Sequence, residues 1–185
     1  MPYEAPPDLA GLSLAQIAQA VAQRKLPPLE QWQPPETIDS QMRIAADGRW
    51  FHAGSPITRP AMVRAFSSLL VREGDGQHYL YTPGCKQTIA VADAPFMAVD
   101  MQTRGDALAF RLNTDDLVLA GPDNPLRSAG DAACPAIYLM VRHGCEARLD
   151  RSTWLQLAEH ALESGGDPAA LAVSSLGASF ALVPS

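Results

Sequence analysis

Between Asp47 and Pro60 the chain reads Asp-Gly-Arg-Trp-Phe-His-Ala-Gly-Ser-Pro-Ile-Thr-Arg-Pro, and nearly every residue in it has a definable backbone role. Asp47-Gly48 supplies the positive φ that a tight hairpin turn needs, and Trp50-Phe51 reads as the returning strand. Gly54-Ser55-Pro56 breaks that strand. Arg59-Pro60 then opens a helix, since proline is tolerated in the first turn, where its missing N–H would have no partner. The run specifies a β-hairpin feeding a helix, and any fold for this chain has to accommodate that unit.

Around it, Met42 to Ala45 and Arg49 to His52 are the expected paired strands. The helix is expected from Arg59 to about Val71, burying Met62, Val63, Phe66, Leu69 and Leu70 at helical spacing before Glu73-Gly74-Asp75-Gly76 ends it. From there the chain changes character. His78–Tyr81, Gln87–Val91, Phe96–Met101, Leu108–Leu112 and Leu117–Ala120 read as short strands between turn signals, an antiparallel meander curled over a helix. Residues 121–135 read as a loop rich in Gly, Pro, Asp and Ser. A second hairpin follows, Ile137–Arg142 and Glu146–Leu149 around His143-Gly144. A second helix starts at Arg151-Ser152, with Trp154, Leu155, Leu157, Ala158, Ala161 and Leu162 on its core side. The Asp-Gly hairpin with its helix and the His-Gly hairpin with its helix share one plan, which points to an internal duplication. The fold class is α+β, with duplicated β-hairpin/helix units and an antiparallel β-rich C-terminal domain.

Residues 1–40 hold seven of the sixteen prolines, bracketing one helical pattern with Ser13 as cap and Leu14, Ile17, Ala18 and Val21 on one face. They read as an N-terminal arm with one helix, ahead of a hairpin-helix domain at 41–83 and a β-rich domain at 84–185 that ends in a helix and strand. Trp32, flanked by Pro27-Pro28 and Pro34-Pro35, either packs on the parent domain or presents a polyproline ligand to a protein partner.

A balance of 14 basic against 20 acidic residues, net charge −6, argues against nucleic acid as a partner, which would need a basic stripe. No run approaches the roughly 20 apolar residues that cross a bilayer, and the N-terminus lacks the charged-then-apolar order of a signal peptide. Three cysteines, Cys85, Cys134 and Cys145, cannot all pair within one chain. The expectation is a cytoplasmic protein with reduced thiols and no membrane association.

No assembly of residues compels a reaction. His143 and Cys145 would share a strand face, which permits a nucleophile and base, yet a hairpin turn at His143 explains them more simply. Paired two-residue-spaced metal ligands, Gly-rich phosphate loops and a Gly-x-Ser-x-Gly elbow are absent from the sequence, so neither a metal nor a cofactor is expected. Asp115-Asp116 and Asp123-Asn124-Pro125 read as turn formers. Twelve of the fourteen cations are Arg, and Arg43, Arg59, Lys86 and Arg142 lie on or beside regular elements, with Trp50 on the strand next to Arg43. Cations beside an aromatic ring can clamp a phosphate and stack a base. The competing reading is salt bridges to Asp47, Asp93 or Glu146.

The segments Leu26–Leu29, Trp32–Pro35, Arg43–Phe51 and Gly54–Arg59 resemble the N-terminal part of a bacterial family designated domain of unknown function 1285. Tyr81-Thr82-Pro83 with Lys86, Val91–Phe96, Asn113 before an acidic turn, Pro125–Arg127 and Val141-Arg142 before Glu146-Ala147 extend the resemblance over residues 12 to 183. It implies two related β-and-helix units, the C-terminal one superficially pleckstrin-homology-like. It also implies a non-enzymatic signal-transduction protein with a nucleotide-like ligand between the units, for which Arg43, Trp50, Arg59, Lys86 and Arg142 are the candidate contacts. Two positions depart from the family pattern: Gln41 stands where an Asp is usual and Cys85 where a Glu is usual.

Overall fold

The computed structural model describes residues 7–131 and 133–184, so Pro2 and Pro6 of the expected arm lie outside the described residues. The arm's helix α1 (Leu14–Gln23) starts where the sequence places it. Ser13 Oγ accepts from the Gln16 amide and Gln16 Oε1 accepts from the Ser13 amide, a reciprocal capping box. Leu9 and Ile17 are fully buried against Ala109, Leu117 and Leu119, whereas Ala18 and Val21, half of the expected apolar face, stay exposed. Arg104 locks the arm down by donating to the carbonyls of Leu9, Ala10 and Leu12.

Two six-stranded sheets follow. The first contains β1 (Glu36–Ile44), β2 (Trp50–His52), β3 (Ser55–Pro56), β4 (Leu70–Arg72), β5 (His78–Tyr81) and β6 (Cys85–Val91), with α2 (Pro60–Ser67) between β3 and β4. The second contains β7 (Phe96–Arg104), β8 (Ala107–Leu112), β9 (Leu117–Leu119), β10 (Leu126–Asp131), β11 (Cys134–Arg142) and β12 (Cys145–Leu149). It is followed by α3 (Arg151–Glu163) and the hairpin β13 (Ala172–Ser175)–β14 (Ala178–Ala181).

Their orders are β3-β2-β1-β6-β5-β4 and β10-β11-β12-β7-β8-β9. Each sheet is two three-stranded antiparallel meanders, in which the first strand of one lies parallel to the last strand of the other, β1 beside β6 and β7 beside β12. The α+β class and the duplication therefore stand. The correspondence between the copies does not run as the sequence suggested. In strand order, the Asp47-Gly48 turn between β1 and β2 matches the Gly105-Asp106 turn between β7 and β8, and the His143-Gly144 turn matches Thr82–Gly84 between β5 and β6. Hairpin-then-helix recurs in the sequence, but α2 precedes the second meander of its unit whereas α3 follows the second meander of its own. Both sheets are mixed rather than purely antiparallel.

Other local expectations change for identifiable reasons. The helix α2 stops at Ser67, because the Ser67 and Ser68 hydroxyls both donate to the Arg64 carbonyl and Leu70–Arg72 pairs with β5 as a strand. Met62, on the face expected to be buried, is exposed. The strands from His78 to Ala120 do not form one meander: β6, grouped by its turns with the C-terminal domain, is central in the first sheet. The loop expected at 121–135 contains β10, an edge strand satisfied by β11 on one side. On α3, Leu157 and Ala161 face the core while Leu155 and Leu162 are exposed.

One core joins the two sheets, running from Met42, Ile44, Trp50 and Leu80 in the first to Phe96, Phe110 and Leu139 in the second. Strand β8 is buried on both faces, with Leu108, Phe110 and Leu112 in this core and Ala109 under the arm. Among the described residues, no helix is long and apolar enough to cross a membrane.

Candidate functional site

The seam between the two units is held by close backbone approaches that the turns make available. Gly48 has φ 82°, and a Cβ there would stand 2.7 Å from Asn113 Nδ2; that amide donates to the Gly48 carbonyl at 3.4 Å while Asn113 Oδ1 accepts from Met97 N at 3.1 Å. On the other side, the Arg72 amide on the edge strand β4 donates to the His143 carbonyl at 2.9 Å, and Gly144 sits so close that a Cβ would meet the Arg72 carbonyl at 2.8 Å.

His143 is therefore a positive-φ turn residue docking one unit on the other. Cys145 is fully buried, and burial pushes its thiol up to about 12, far from a nucleophile's range. All three cysteines are unbonded. Among the described residues no group of His, Cys, Asp and Glu side chains is arranged to hold a metal.

The strongest concentration of charge lies under the β8–β9 turn. Asp115 takes φ 61° there, which suits an Asp in a turn, and accepts from Arg111 at 2.6 Å. Asp116 points the other way and is only 3% exposed. Its carboxylate accepts from Arg24 Nε at 2.6 Å, Arg142 Nη2 at 3.0 Å and Thr114 Oγ1 at 3.0 Å, and Arg64 Nη1 lies 3.3 Å away. These guanidinium groups come from the C-cap of the arm's helix α1, from α2 and from β11. Arg24 also donates to Ser68 Oγ and Arg64 to the Thr114 carbonyl, so arm and both units meet at this point. Burial alone would raise the Asp116 carboxyl, but Arg142, Arg24 and Arg64 outweigh it and hold the group below the usual carboxylate range. Burial likewise lowers Arg142, with Asp116 restoring part of the loss. Arg142 lies over the Phe96 ring at 4.8 Å, and its Nε is buried with no hydrogen-bond partner among the described residues. A cavity of about 400 Å³ opens beside the cluster, lined by Arg24, Arg64, Arg142 and Asp116, by the polar Asp115, Asp123 and Asn124, and otherwise by apolar residues.

The five sequence candidates do not converge. Arg142 is in the cluster. Trp50 is 2% exposed, stacks on Phe66 at 6.4 Å, and lines a neighbouring cavity of about 340 Å³ with Gly48, Ile57, Val63 and Asn113; Asp115 lines both cavities. Its Nε1 is buried with no partner among the described residues. Arg43 is exposed over the Phe51 ring at 3.9 Å, and Arg59 is exposed at the start of α2. Lys86 is bonded to both Glu73 oxygens, which with Tyr81 holds Glu73 below its ordinary range.

A polar cleft of about 440 Å³ also opens on the seam; most of its charges are paired, but the Arg72 guanidinium has only a 3.4 Å hydrogen bond to the Gly76 carbonyl among the described residues. Arg127 forms a two-pronged pair with Glu146, and Asp93 accepts from Tyr138 and Arg148. Burial and Arg72 lower His78 there. The sequence reading missed Arg24, Arg64 and Asp116; the Asp115-Asp116 doublet was visible but looked like a turn alone.

A family profile for the DUF1285 N-terminal domain matches residues 27–94, and one for its C-terminal domain matches residues 95–182. The chain is 41% identical to a DUF1285 family protein of Silicibacter pomeroyi DSS-3 of known structure, over 92% of this chain and 94% of that one, with a TM-score of 0.77. A DUF1285 family protein of Shewanella baltica OS155 shares the fold at 21% identity and TM-score 0.54, over 65% of this chain and 91% of that one. No curated protein matches the chain.

Proposed function

The chain belongs to the DUF1285 family, and from that premise we propose that it is a non-enzymatic binding protein of the signal-transduction type. Its ligand is a small phosphate-bearing or nucleotide-like molecule held at the seam between its two units. The observation that carries this reading is the convergence of Arg24, Arg64 and Arg142 on the single buried carboxylate of Asp116, beside a cavity of about 400 Å³. Guanidinium groups present several donors in a fixed fork that fits phosphate oxygens, and in a partly desolvated site they bind anions more strongly than at the surface. Because the cluster draws on the arm, α2 and β11, an anion bound there would favour the docked arrangement of all three, which is how occupancy would become a signal.

Thermal-shift measurements with inorganic phosphate, pyrophosphate, AMP and ADP test the reading. At a concentration 100 times its Kd a ligand stabilises the folded state by about 3 kcal/mol, well within detection. Arg24→Gln should weaken the response. A flat response to every phosphate compound at millimolar concentration overturns the proposal.

A further inference from the structure

We infer, resting on the anion site just proposed, that the rest of its ligand is a saturated aliphatic chain rather than a nucleobase. Three independent observations lead there. None of the described residues lining the 400 Å³ cavity is aromatic, so the cavity offers no ring on which a base could stack, and stacking is the interaction through which proteins ordinarily hold an unpaired base. Apart from the charged residues and Asn124, its walls are aliphatic, with Val21 and Leu26 of the arm, Leu117 and Leu119 of β9, and Leu176.

Seven large hydrophobic side chains are exposed among the described residues, and three of them, Val21, Leu26 and Leu176, line this one cavity at 37–39% exposure. Scattered exposed leucines need no explanation, but a concentration of them beside an arginine cluster has the character of a binding surface.

The third observation is Leu176 itself. It occupies the β13–β14 turn at φ 49°, followed by Gly177 at φ 80°, a two-residue turn whose first position favours Asn or Asp. A leucine in the left-handed region costs roughly 1–2 kcal/mol. The Leu176 amide donates to the Asp106 carbonyl at 3.0 Å, and the side chain lies against Gly121, where a Cβ would meet Leu176 Cδ1 at 3.3 Å. Backbone strain held in place to present an apolar side chain at a cavity rim is what a ligand contact would require.

The head of the ligand is anionic. Locally Arg24, Arg64 and Arg142 converge on the one carboxylate of Asp116, while Asp115 pairs with Arg111 and Asp123 stands at the exposed rim, so the cationic end of the cavity is the Asp116 cluster. The ligand is therefore a monomeric alkyl phosphate-like amphiphile. A bilayer surface is disfavoured by the net charge of −6.

Calorimetric titration with inorganic phosphate, ethyl phosphate, hexyl phosphate and AMP tests this, with phosphatidic acid vesicles as a further arm. Each fully buried methylene is worth about fourfold in affinity, so hexyl phosphate should bind at least about tenfold tighter than ethyl phosphate, and tighter than AMP. Leu176→Asn should raise the melting temperature by relieving the turn, yet reduce the hexyl-over-ethyl advantage without changing the affinity for inorganic phosphate. A purely structural leucine would leave that advantage intact, and an intact advantage overturns the inference. So does AMP binding tighter than hexyl phosphate, a result that leaves the anion site standing. Binding to vesicles without binding to hexyl phosphate overturns it as well. If no phosphate compound binds at all, the anion site falls first and the inference with it.

Discussion

Replacing Asp116 by Asn leaves the shape of the side chain nearly unchanged and removes the one charge on which three guanidinium groups converge. Arg142, Arg24 and Arg64 are 12%, 19% and 24% exposed at their side chains, against 3% for Asp116. Removing one partner of a buried ion pair costs about 3–5 kcal/mol, because the remaining charge is left desolvated and uncompensated. Partial exposure of Arg24 and Arg64 lets solvent screen them, which puts the expected loss near the lower end, about 3 kcal/mol. For a chain of this size that is a fall of roughly 6–12 °C in melting temperature.

The pH dependence carries its own sign. The folded-state carboxyl of Asp116 is held below its ordinary range, so its stabilisation is complete above the unfolded-state value of about 4 and fades as pH falls through the lower folded value. Urea melts of wild type and Asp116→Asn should therefore differ most near neutrality and converge in acid. Added phosphate should stabilise the variant more than the wild type. A loss under about 1 kcal/mol, or a gap that persists unchanged into acid, would refute the claim that Asp116 is the counter-charge of this cluster.

Three smaller perturbations probe other parts of the fold. Thiol labelling of the native protein at pH 8 should modify exposed Cys134 quickly and spare Cys145 until unfolding; rapid labelling of Cys145 would contradict its burial and high thiol value. Gly48→Ala should destabilise more than Gly54→Ala, since both have φ near 80° but only Gly48 faces Asn113. In a double-mutant cycle Asn113→Ala should recover part of the difference, and additive effects would exclude the contact. Gln41, at φ 55° in a β-bulge of β1, is a poor residue for that backbone, so Gln41→Gly should be neutral or stabilise by up to about 1 kcal/mol in chemical denaturation; a clear loss would mean the side chain has a role beyond the turn.

The Gln41 position shows how far local sequence reasoning reaches. At Gln41, where the resemblance implies an Asp, the backbone itself bears on the difference, since the residue has φ 55° and Asp tolerates the left-handed region better than Gln. The Asp47-Gly48 turn was legible for the same kind of reason: its backbone demand is met by the residues themselves, with Asp47 Oδ1 accepting from the Arg49 amide. Where pairing decides, the sequence is quieter. Leu70 continues the helical spacing of Phe66 and still becomes a strand opposite Leu80, and Leu126–Asp131 lacks any alternation yet pairs along its whole length with β11. The chain-local expectation for the acids was half right in an instructive way. Asp47, Asp93 and Glu146 are indeed in salt bridges, but with Arg49, Arg148 and Arg127 rather than with the candidate cations.

The arginine cluster was illegible because its members are 92, 52 and 26 positions from Asp116 in sequence, and only the packing of the arm and the two sheets brings them together. That packing follows from how the duplicated sheets handle their edges. Strand β4 would present unpaired backbone groups at the margin of the first sheet, and the His143-Gly144 turn of the second unit covers it through the Arg72 amide. Arg142 immediately precedes that turn, so the contact that closes the edge also delivers a guanidinium to the seam. The β8–β9 turn supplies Asp116 from the other end of the same sheet, and the arm is held over β8 and β9 by Arg104 and by Leu9 and Ile17, with its helix capped at Arg24. Each element is placed by a structural need of its own. Their charges nevertheless meet in one cavity, which is why a ligand there would register the arm and both units at once.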